Sequence, residues 1–368
     1  MNDKYYMKKC FDLAKNARGK TLKNPLVGAV LVKDGKIIST GYHHEYGKVH
    51  AEVDCFNNLK ENADGAVLYV NLEPCSHYGK QGPCTLEIIK RNIKKVIISN
   101  IDTNPKVDGL MVLREKGIEV QTGLLEDEGK KLNEKFFFNI KYNRPLIALK
   151  YAQTLDGKIS SNTNDSKWIS NEFSREYVHR LRNDYDAIVV GKNTLIHDNP
   201  SLNSRIENGI DPVRVIVDSN LEIEKNYKDY KIFNLNSDKK TYIATCKDTD
   251  NPDLNLIKCK MKNNHVDLED LVNKLYKMNI GSILVEGGSI LNYDFLEEGL
   301  VDKIYEFISP KIIGGFNSRS PFYGRGVDKI KDGYKFEIED IKRFDDDIMI
   351  EAKNVHWNIW RNGQNFIF

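Results

Sequence analysis

The chain has 368 residues, with 55 Lys or Arg against 53 Asp or Glu, so its formal net charge is +2. A nearly neutral chain has no overall attraction to nucleic acid or to an anionic membrane, and we expect neither as a partner. The length predicts about two domains. Six cysteines without dense spacing indicate reduced thiols, and the lack of a leader or of an apolar run of ~20 residues predicts a cytoplasmic protein.

Apolar spacing in the first part of the chain predicts alternating helices and strands, which is typical of a layered α/β domain. The hairpin turn is expected at Asp34-Gly35. The predicted elements are a helix over 3–18, a hairpin over 27–42, a helix from His50, a strand over 67–71, a helix from Cys84, a strand over 95–99, a helix and strand through Val120, and a helix over 124–141. We place a domain boundary after it, dividing the chain into residues 1–144 and 145–368.

Two short motifs, at 50–52 and 73–84, together predict a catalytic zinc site. His50, Cys75 and Cys84 supply one imidazole and two thiolates, the ligands that zinc prefers, and three protein ligands leave a fourth position for water. Zinc lowers the pKa of such a water toward ~7, and Glu52, two residues from His50, suits a proton carrier beside it. We therefore predict one zinc ion per chain, with Glu52 as the catalytic acid-base group.

The spacing of the two cysteines leaves alternatives open. Zinc nucleobase deaminases combine His-x-Glu with Pro-Cys-x-x-Cys, whereas eight residues separate Cys75 from Cys84 here. One alternative is a deaminase acting on a nucleic-acid base, with an unrelated second half. Another is a structural zinc module fused to a nucleotide-sensing domain, in which His77 fills the fourth position.

Further residues of the first half resemble a known family. With the zinc motifs, Lys-Asn-Pro-Leu-Val-Gly at 23–28 and Gly-Tyr-His at 41–43 resemble the pyrimidine deaminase half of the bifunctional riboflavin biosynthesis deaminase-reductases. Asp-Thr-Asn-Pro at 102–105 is similar to the family's Asp-Pro-Asn-Pro. The resemblance implies a cytidine-deaminase-like α/β/α layered domain, with substrate contacts from Asn24, His43, His77, Lys80, Asp102 and Asn104.

The second half resembles the reductase half of the same family. The matching stretches include 146–159, 166–170, 191–194, 198–202, 286–288 and 309–315. No G-x-G-x-x-G is present, so the ordinary dinucleotide fingerprint is absent. A strand ending at Val285 followed by Glu286-Gly287-Gly288 offers another cradle, because glycines let a pyrophosphate reach the N–H groups of a helix start. The resemblance implies a dihydrofolate-reductase-like α/β domain that uses NADPH.

The same resemblance implies individual roles in the second half. The substrate contacts are Lys150, Ser166, Arg182, Asp198, Leu202, Arg205 and Glu286, with Arg182 and Arg205 on the substrate phosphate. The NADPH contacts are Ala152, Trp168, Ser170, Thr194, Gly287 and Gly288. The implied activity is hydrolytic deamination of a small phosphorylated ribosylaminopyrimidine, followed by reduction of its ribosyl side chain to ribityl. Whether the chain forms a homo-oligomer is left open.

Overall fold

The computed structural model describes residues 2–78, 82–237 and 239–355. The chain divides into two units, Met1–Arg144 and Pro145–Phe368, each with its own sheet and its own apolar core. The last helix of the first unit ends at Asn143, whose left-handed backbone (φ 51°) stops the helical hydrogen bonding. Pro145 cannot donate to a further helical turn, so the chain leaves the helix here and enters a strand.

The first unit is built on a five-stranded sheet with the strand order β2-β1-β3-β4-β5. Asp34 and Gly35 close the β1–β2 hairpin, and both have positive φ, as a two-residue hairpin turn requires. β1 pairs antiparallel with β3, and β3, β4 and β5 run parallel. The elements are α1 (Asp3–Lys15), β1 (Gly28–Lys33), β2 (Lys36–Tyr42), α2 (Ala51–Asn57), β3 (Val67–Leu72), α3 (Cys84–Lys90), β4 (Lys95–Asn100), α4 (Gly109–Glu115), β5 (Glu119–Gln121), α5 (Glu126–Leu132) and α6 (Glu134–Tyr142).

The helix predicted over 124–141 is in fact two helices, α5 and α6, which meet at Asn133. The buried Asn133 amide accepts a hydrogen bond from the Leu26 N–H (2.7 Å) and donates one to the Leu26 carbonyl (3.0 Å). An Asn side chain can compete with helical hydrogen bonding in this way. The single-helix prediction was wrong because the partner lies more than a hundred residues away in the sequence. The break anchors the segment that follows Asn24.

The second unit is built on a nine-stranded sheet with the order β10-β9-β8-β7-β13-β6-β14-β16-β15. The strands from β10 to β14 in that order are parallel, and β16 and β15 extend the sheet antiparallel at one edge. β11 and β12 form a separate small hairpin. The elements are β6 (Leu146–Thr154), α7 (Glu172–Asp184), β7 (Ala187–Gly191), α8 (Lys192–Asp198), β8 (Val213–Val217), β9 (Thr241–Thr245), β10 (Asn255–Lys258), β11 (Met261–Lys262), β12 (His265–Val266), α9 (Leu268–Lys277), β13 (Ser282–Val285), α10 (Ser289–Glu297), β14 (Lys303–Ser309), β15 (Phe336–Phe344) and β16 (Asp347–Asn354).

Apolar side chains pack on both faces of each sheet. Val30 and Leu31, neighbours on β1, belong to different core clusters, because successive strand residues point to opposite faces. In the second unit Leu149 and Ala148 of β6 divide in the same way. Both units are therefore layered α/β structures, which confirms the predicted fold class. Among the described residues, no helix combines the length and apolar character needed to cross a bilayer.

Candidate active sites

Three side chains of the first unit converge on a site with the donor set that zinc prefers. His50 lies at the N-cap of α2, Cys84 is the first residue of α3, and Cys75 lies in the loop after β3. His50 Nδ1 is 3.2 Å from Cys84 Sγ and 3.4 Å from Cys75 Sγ, and the three ligand atoms lie within 4.8 Å of one another. Within the described ranges no fourth His, Cys, Asp or Glu joins this cluster. One imidazole nitrogen and two sulfurs so spaced fit a three-ligand zinc site.

The side chains of Cys75 and Cys84 are hydrogen-bonded to each other. The Cys84 thiol and the Cys84 backbone N–H (3.3 Å) hydrogen-bond to Cys75, which lowers the pKa of Cys75 to about 4, although burial opposes this shift. The same hydrogen bond, with burial, raises the pKa of Cys84. Cys75 is therefore the more readily deprotonated of the two cysteines. A bound metal takes both as thiolates, so metal binding releases protons.

Glu52 lies in the first turn of α2, and its side chain is buried. Burial, helped by the charge of Cys75, raises the pKa of Glu52 to about 7. A carboxyl group whose pKa lies near neutral pH can both accept and donate a proton there. The structure thus places a buried carboxyl group beside the three potential zinc ligands.

His43 and Asn24 form one wall beside this cluster. The His43 ring is 5.9 Å from the His50 ring, centroid to centroid, and burial lowers the pKa of His43. Neutral His43 with its proton on Nδ1 donates to the Val49 carbonyl (2.9 Å), and its Nε2 accepts from the Asn24 side-chain nitrogen (3.2 Å). Asn24 and His43, both predicted to contact the substrate, are therefore hydrogen-bonded to each other, and His43 fixes the orientation of the Asn24 amide.

Asp102, Asn104 and His77 lie on the loops after β4 and β3. Burial, with repulsion from Glu73, raises the pKa of Asp102 to about 6, while the nearby His77 opposes the shift. The Asn104 N–H donates to the Asp102 carboxylate (2.8 Å). The predicted substrate residue Lys80 lies outside the described residues. The sequence analysis gave no role to Glu73, although an acid that ends a buried strand just before a metal ligand is a usable signal.

A cavity of about 630 Å³ in the second unit brings together every residue predicted for the reductase. Its size lies within the range of small-molecule and cofactor sites. The predicted residues that line it are Lys150, Ala152, Ser166, Trp168, Ser170, Arg182, Thr194, Asp198, Leu202, Arg205, Glu286, Gly287 and Gly288. It lies at the carboxyl ends of β6, β7 and β13, where ligands bind in open α/β sheets.

An ion-pair cluster around Glu286 forms one wall of the cavity. Arg182 donates from Nε (2.7 Å) and Nη2 (2.9 Å) to the two Glu286 oxygens, and Lys150 Nζ lies 2.9 Å from Oε2. Burial opposes ionisation, but the two cations hold the pKa of Glu286 well below its usual range. Arg182 Nη1 also donates to the Asn203 carbonyl (3.4 Å), so this guanidinium has few donors left. Its predicted phosphate contact stays a prediction, and Arg205 is the better candidate.

The loop after α8 has an unusual backbone. Asn199, Leu202 and Arg205 all have positive φ, at 43°, 55° and 54°. Such values are uncommon outside glycine, and strained residues of this kind concentrate at ligand sites. They turn Leu202 into the core and place Arg205 on the cavity wall. At the start of the loop, Asp198 accepts a hydrogen bond from the Ser166 hydroxyl (2.9 Å).

A second group of lining residues suits a dinucleotide. Gly288 is the N-cap of α10, and a Cβ there would lie 3.3 Å from the Thr194 hydroxyl; a Cβ on Gly287 would lie 3.0 Å from Leu291. The two glycines therefore leave open the space before a helix N-terminus, where a phosphate can meet backbone N–H groups. Exposed Trp168 is stacked by the Arg175 guanidinium, 4.7 Å from the ring centroid. These residues fit a cofactor such as NADPH.

Several cationic or titratable residues line the cavity without having been given a role from the sequence, among them His179, Lys231 and Arg319. His179 lies one helical turn before Arg182 on α7, so the two share a face. Burial, and the charges of Arg182 and Arg205, lower the pKa of His179. The spacing of three residues between His179 and Arg182 on a helix could have indicated that His179 faces the same site. Lys231 begins a short 3₁₀ helix (Lys231–Phe233) and Arg319 lies in a segment without regular structure, and neither position could be related to the cavity from the sequence.

The fold and these two sites define a zinc deaminase unit joined to a dinucleotide-dependent reductase unit, and comparison with known proteins agrees. The family described as "Cytidine and deoxycytidylate deaminase zinc-binding region" matches residues 1–100, and "RibD C-terminal domain" matches 145–350. The riboflavin biosynthesis protein RibD of Actinobacillus pleuropneumoniae is 41% identical over 364 residues, covering 95% of each chain. That of Aquifex aeolicus is 41% identical over 360 residues, covering 95% of this chain and 98% of its own.

A solved structure agrees as well. The Thermotoga maritima diaminohydroxyphosphoribosylaminopyrimidine deaminase/5-amino-6-(5-phosphoribosylamino)uracil reductase superposes with a TM-score of 0.86 at 37% identity, covering 96% of this chain and 98% of its own. This chain belongs to the RibD family of riboflavin biosynthesis proteins. It is a bifunctional enzyme with a zinc-dependent deaminase and an NADPH-dependent reductase.

Proposed function

We propose that the first unit deaminates a diaminopyrimidinone ribosylamine phosphate, and that the second unit reduces the ribosyl side chain of the product to ribityl. The observation that carries this proposal is the presence of two different sites in one chain. The first unit holds a His50-Cys75-Cys84 cluster beside buried Glu52, and the second unit holds a cavity lined by Lys150, Arg182 and Glu286. The name of the Thermotoga maritima relative supports the substrate class.

In the deaminase, zinc activates the attacking water when bound, and Glu52 carries the protons. Glu52 accepts a proton from the water and returns one to the departing amine, a role supported by its burial and its pKa of about 7. Asn24, held by His43, and the loop bearing Asp102 and Asn104 bind the pyrimidine from two sides. His77 and Lys80 belong to the same proposed substrate site.

In the reductase, NADPH supplies the hydride, and the protein positions the sugar and balances charge. Lys150, fixed by Glu286, faces the cavity from β6 and suits contact with the sugar, together with Asp198. Arg205 lines the cavity, and among the described residues its Nε donates only to the neighbouring Asn203 side chain (3.1 Å), which supports a role in binding the substrate phosphate. Trp168, Ser170, Thr194, Ala152 and the two glycines border the cofactor.

The substrate of the deaminase is proposed to be a small molecule and not a polynucleotide. The net charge of +2 provides no general attraction to a phosphate backbone. Single-stranded DNA and tRNA should therefore not release ammonia at a rate comparable with the small substrate. Among the described residues every cysteine is unpaired, which supports the reducing cytoplasm as the location.

The test measures the two half-reactions separately in one chain. With the phosphorylated diaminopyrimidine and NADPH, both ammonia release and loss of NADPH absorbance should occur. Glu52→Gln should lower ammonia release by about 10²- to 10⁴-fold at normal zinc content, yet oxidise NADPH at the parent rate when given deaminated substrate. Cys75→Ser should lose zinc and deamination together. Exposed Glu61→Gln is the control and should behave as the parent.

A matched pair of arginine variants tests the reductase. Arg205→Ala should raise the KM for the deaminated substrate and leave deamination unchanged, because a charge-assisted phosphate contact is lost. Arg180→Ala removes an exposed guanidinium of α7 that pairs with Glu176 on the same helix, and it should leave both reactions unchanged. Parent-like KM in Arg205→Ala would contradict the assignment of the phosphate site.

A further inference from the structure

Glu73 lies where the loop that carries Cys75 contacts the segment that follows β4, a contact that we call the joint. It follows β3 directly, two residues before Cys75, and it is buried. Its Oε1 accepts a hydrogen bond from the Leu110 N–H (3.0 Å), and its Oε2 accepts one from the Asp102 N–H (3.2 Å). One carboxylate therefore holds two backbone groups from the segment that follows β4.

Backbone packing reinforces the same joint. The Asp108 N–H donates to the Ser76 hydroxyl (2.8 Å), and a Cβ on Gly109 would lie only 2.0 Å from the Pro74 carbonyl oxygen. Only glycine permits this approach of α4 to the loop that carries Cys75. Leu110 is the second residue of α4, and the first N–H groups of a helix have no acceptor within that helix. Glu73 supplies the acceptor for the Leu110 N–H.

We propose that Glu73 is a positioning residue of the deaminase, which holds the Asp102–Asn104 loop at a fixed place relative to Cys75. The proposal rests on the proposed function, because it takes Asp102 and Asn104 as substrate contacts. The Asp102 side chain accepts from the Asn104 N–H, so anchoring the Asp102 backbone also orients Asn104. Glu73 thereby determines where the pyrimidine meets the metal site without touching the pyrimidine.

The carboxylate is needed because both of its partners are donors. A glutamine at this position has one acceptor oxygen, and its amide nitrogen would face the second N–H with another donor. One backbone N–H would then lose its partner in a buried place, and the loop would move to find another. Glu73→Gln, which keeps the size of the side chain, therefore releases the loop and leaves the three zinc ligands unchanged.

The experiment uses the full zinc-loaded chain and measures ammonia release against substrate concentration. For Glu73→Gln we expect kcat/KM to fall about 10- to 100-fold, mainly through KM, since a displacement near 1 Å has effects of this order. Zinc content should stay at one per chain, and NADPH oxidation with deaminated substrate should match the parent. Glu119→Gln, on the exposed edge strand of the same sheet, should show no change.

Two further variants separate positioning from folding. Gly109→Ala forces the same joint apart with Glu73 intact and should also raise KM with zinc retained. Asp102→Asn should raise KM. The double variant with Glu73→Gln should have a KM close to that of Asp102→Asn alone, because Glu73 acts through the loop that carries Asp102. Three results would overturn the positioning role even if Asp102→Asn raises KM and so supports the substrate site. These are a parent-like KM in Glu73→Gln, additive effects of Glu73→Gln and Asp102→Asn on KM, and loss of zinc in both Glu73→Gln and Gly109→Ala. Parent-like KM in Asp102→Asn would refute the substrate role of the loop and the positioning role with it.

Discussion

Asp102 keeps its carboxyl group in an unfavourable environment, which gives stability a defined pH dependence. Burial and Glu73 raise the pKa of Asp102 to about 6, whereas an Asp in the unfolded chain has a pKa of ~3.9. The unfolded chain therefore releases this proton first as pH rises. The stability that the protonated group provides is complete below pH ~4 and is lost as pH rises through about 6.

Asp102→Asn cannot ionise, so we expect it to stabilise the zinc-loaded deaminase unit by about 1 kcal/mol at pH 7.5. The full shift corresponds to at most ~3 kcal/mol, and partial exposure and the zinc charge reduce this value. Urea unfolding followed by zinc release to a chromogenic chelator measures the effect. The increase in unfolding free energy should shrink as pH falls from 7 to 5. The control is Asp64→Asn, at an exposed position. An increase that does not depend on pH, or one equal to that of the control, would contradict the raised pKa of Asp102.

Glu286 neutralises a buried guanidinium, so its removal should affect stability as well as activity. Arg182 and Glu286 have side-chain exposures of 12% and 6%. In Glu286→Gln the Arg182 charge stays buried without its carboxylate, and we expect the unfolding free energy of the reductase unit to fall by about 3–5 kcal/mol. Fluorescence of Trp168, which packs against the Arg175 guanidinium in this unit, measures the change.

The matching control is Glu176→Gln, which removes an exposed ion pair from the same helix, α7, and should change stability little. The double variant Glu286→Gln with Arg182→Met should be more stable than Glu286→Gln alone, since the buried charge is gone. NADPH oxidation should be lost in both. Equal stability of the single and double variants would show that the charge is not the cause.

Single residues of the sites were predictable where chemistry restricts the residue type. Zinc demands His and Cys, so spacing sufficed to name His50, Cys75 and Cys84. The sequence named Lys150 and Glu286 but not their ion pair, which depends on the register of β13 against β6. The position of Glu73 after a buried strand was a usable signal for a role, but its hydrogen-bond partners lie on the segment after β4 and could not be predicted from the sequence.

At the level of elements, the turn between β15 and β16 anchors the start of α7. Asp347 is buried, and its Oδ2 accepts from the Asn171 N–H and the Ser174 hydroxyl, both at 2.7 Å. Asn171 caps the helix by accepting from the Ser174 N–H (2.9 Å). The helix start in turn follows Ser170, whose carbonyl accepts from Arg175. The hairpin thereby supports the cofactor side of the cavity.

We expect Asp347→Ala to raise the KM for NADPH several-fold with kcat less affected, because the segment through Trp168 and Ser170 loses its support. Loss of an acceptor for two buried donors also costs about 1–3 kcal/mol of stability. Asp347→Asn retains an acceptor oxygen and should recover most of the parent KM. Steady-state NADPH oxidation measures both, and an equal defect in the two variants would contradict this anchoring role.

The elements themselves followed from the sequence unevenly. Apolar spacing predicted the strands of the first sheet, Asp34-Gly35 predicted its hairpin, and in the second sheet the strand ending at Val285 was predicted. β16 is an internal strand although it carries several charged residues, and its Glu351 is buried against Lys303 at 2.9 Å. A buried ion pair joins residues far apart in the chain, so neither charge reveals the burial of the other.

For the whole molecule, the boundary at Arg144 and Pro145 leaves each site within one unit. The layered class of both units was predictable, because buried parallel strands have near-continuous apolar sequences. The order of the nine strands was not, since β13 is inserted between β7 and β6 by pairing across about a hundred residues. The cavity depends on that insertion, which brings Glu286 beside Lys150 and Arg182.

The division of the chain has a genetic consequence. Two defective alleles, Glu52→Gln and Arg205→Ala, each damage one half of the protein and leave the other half intact. We expect them to complement in trans: mixed at equal amounts, the two chains should convert the aminopyrimidine and oxidise NADPH, although neither does so efficiently alone. A mixture as inactive as its components would show that the intermediate passes only within one chain. If the alleles complement, the two activities can be inherited as one gene or as two, and selection can act on each half separately.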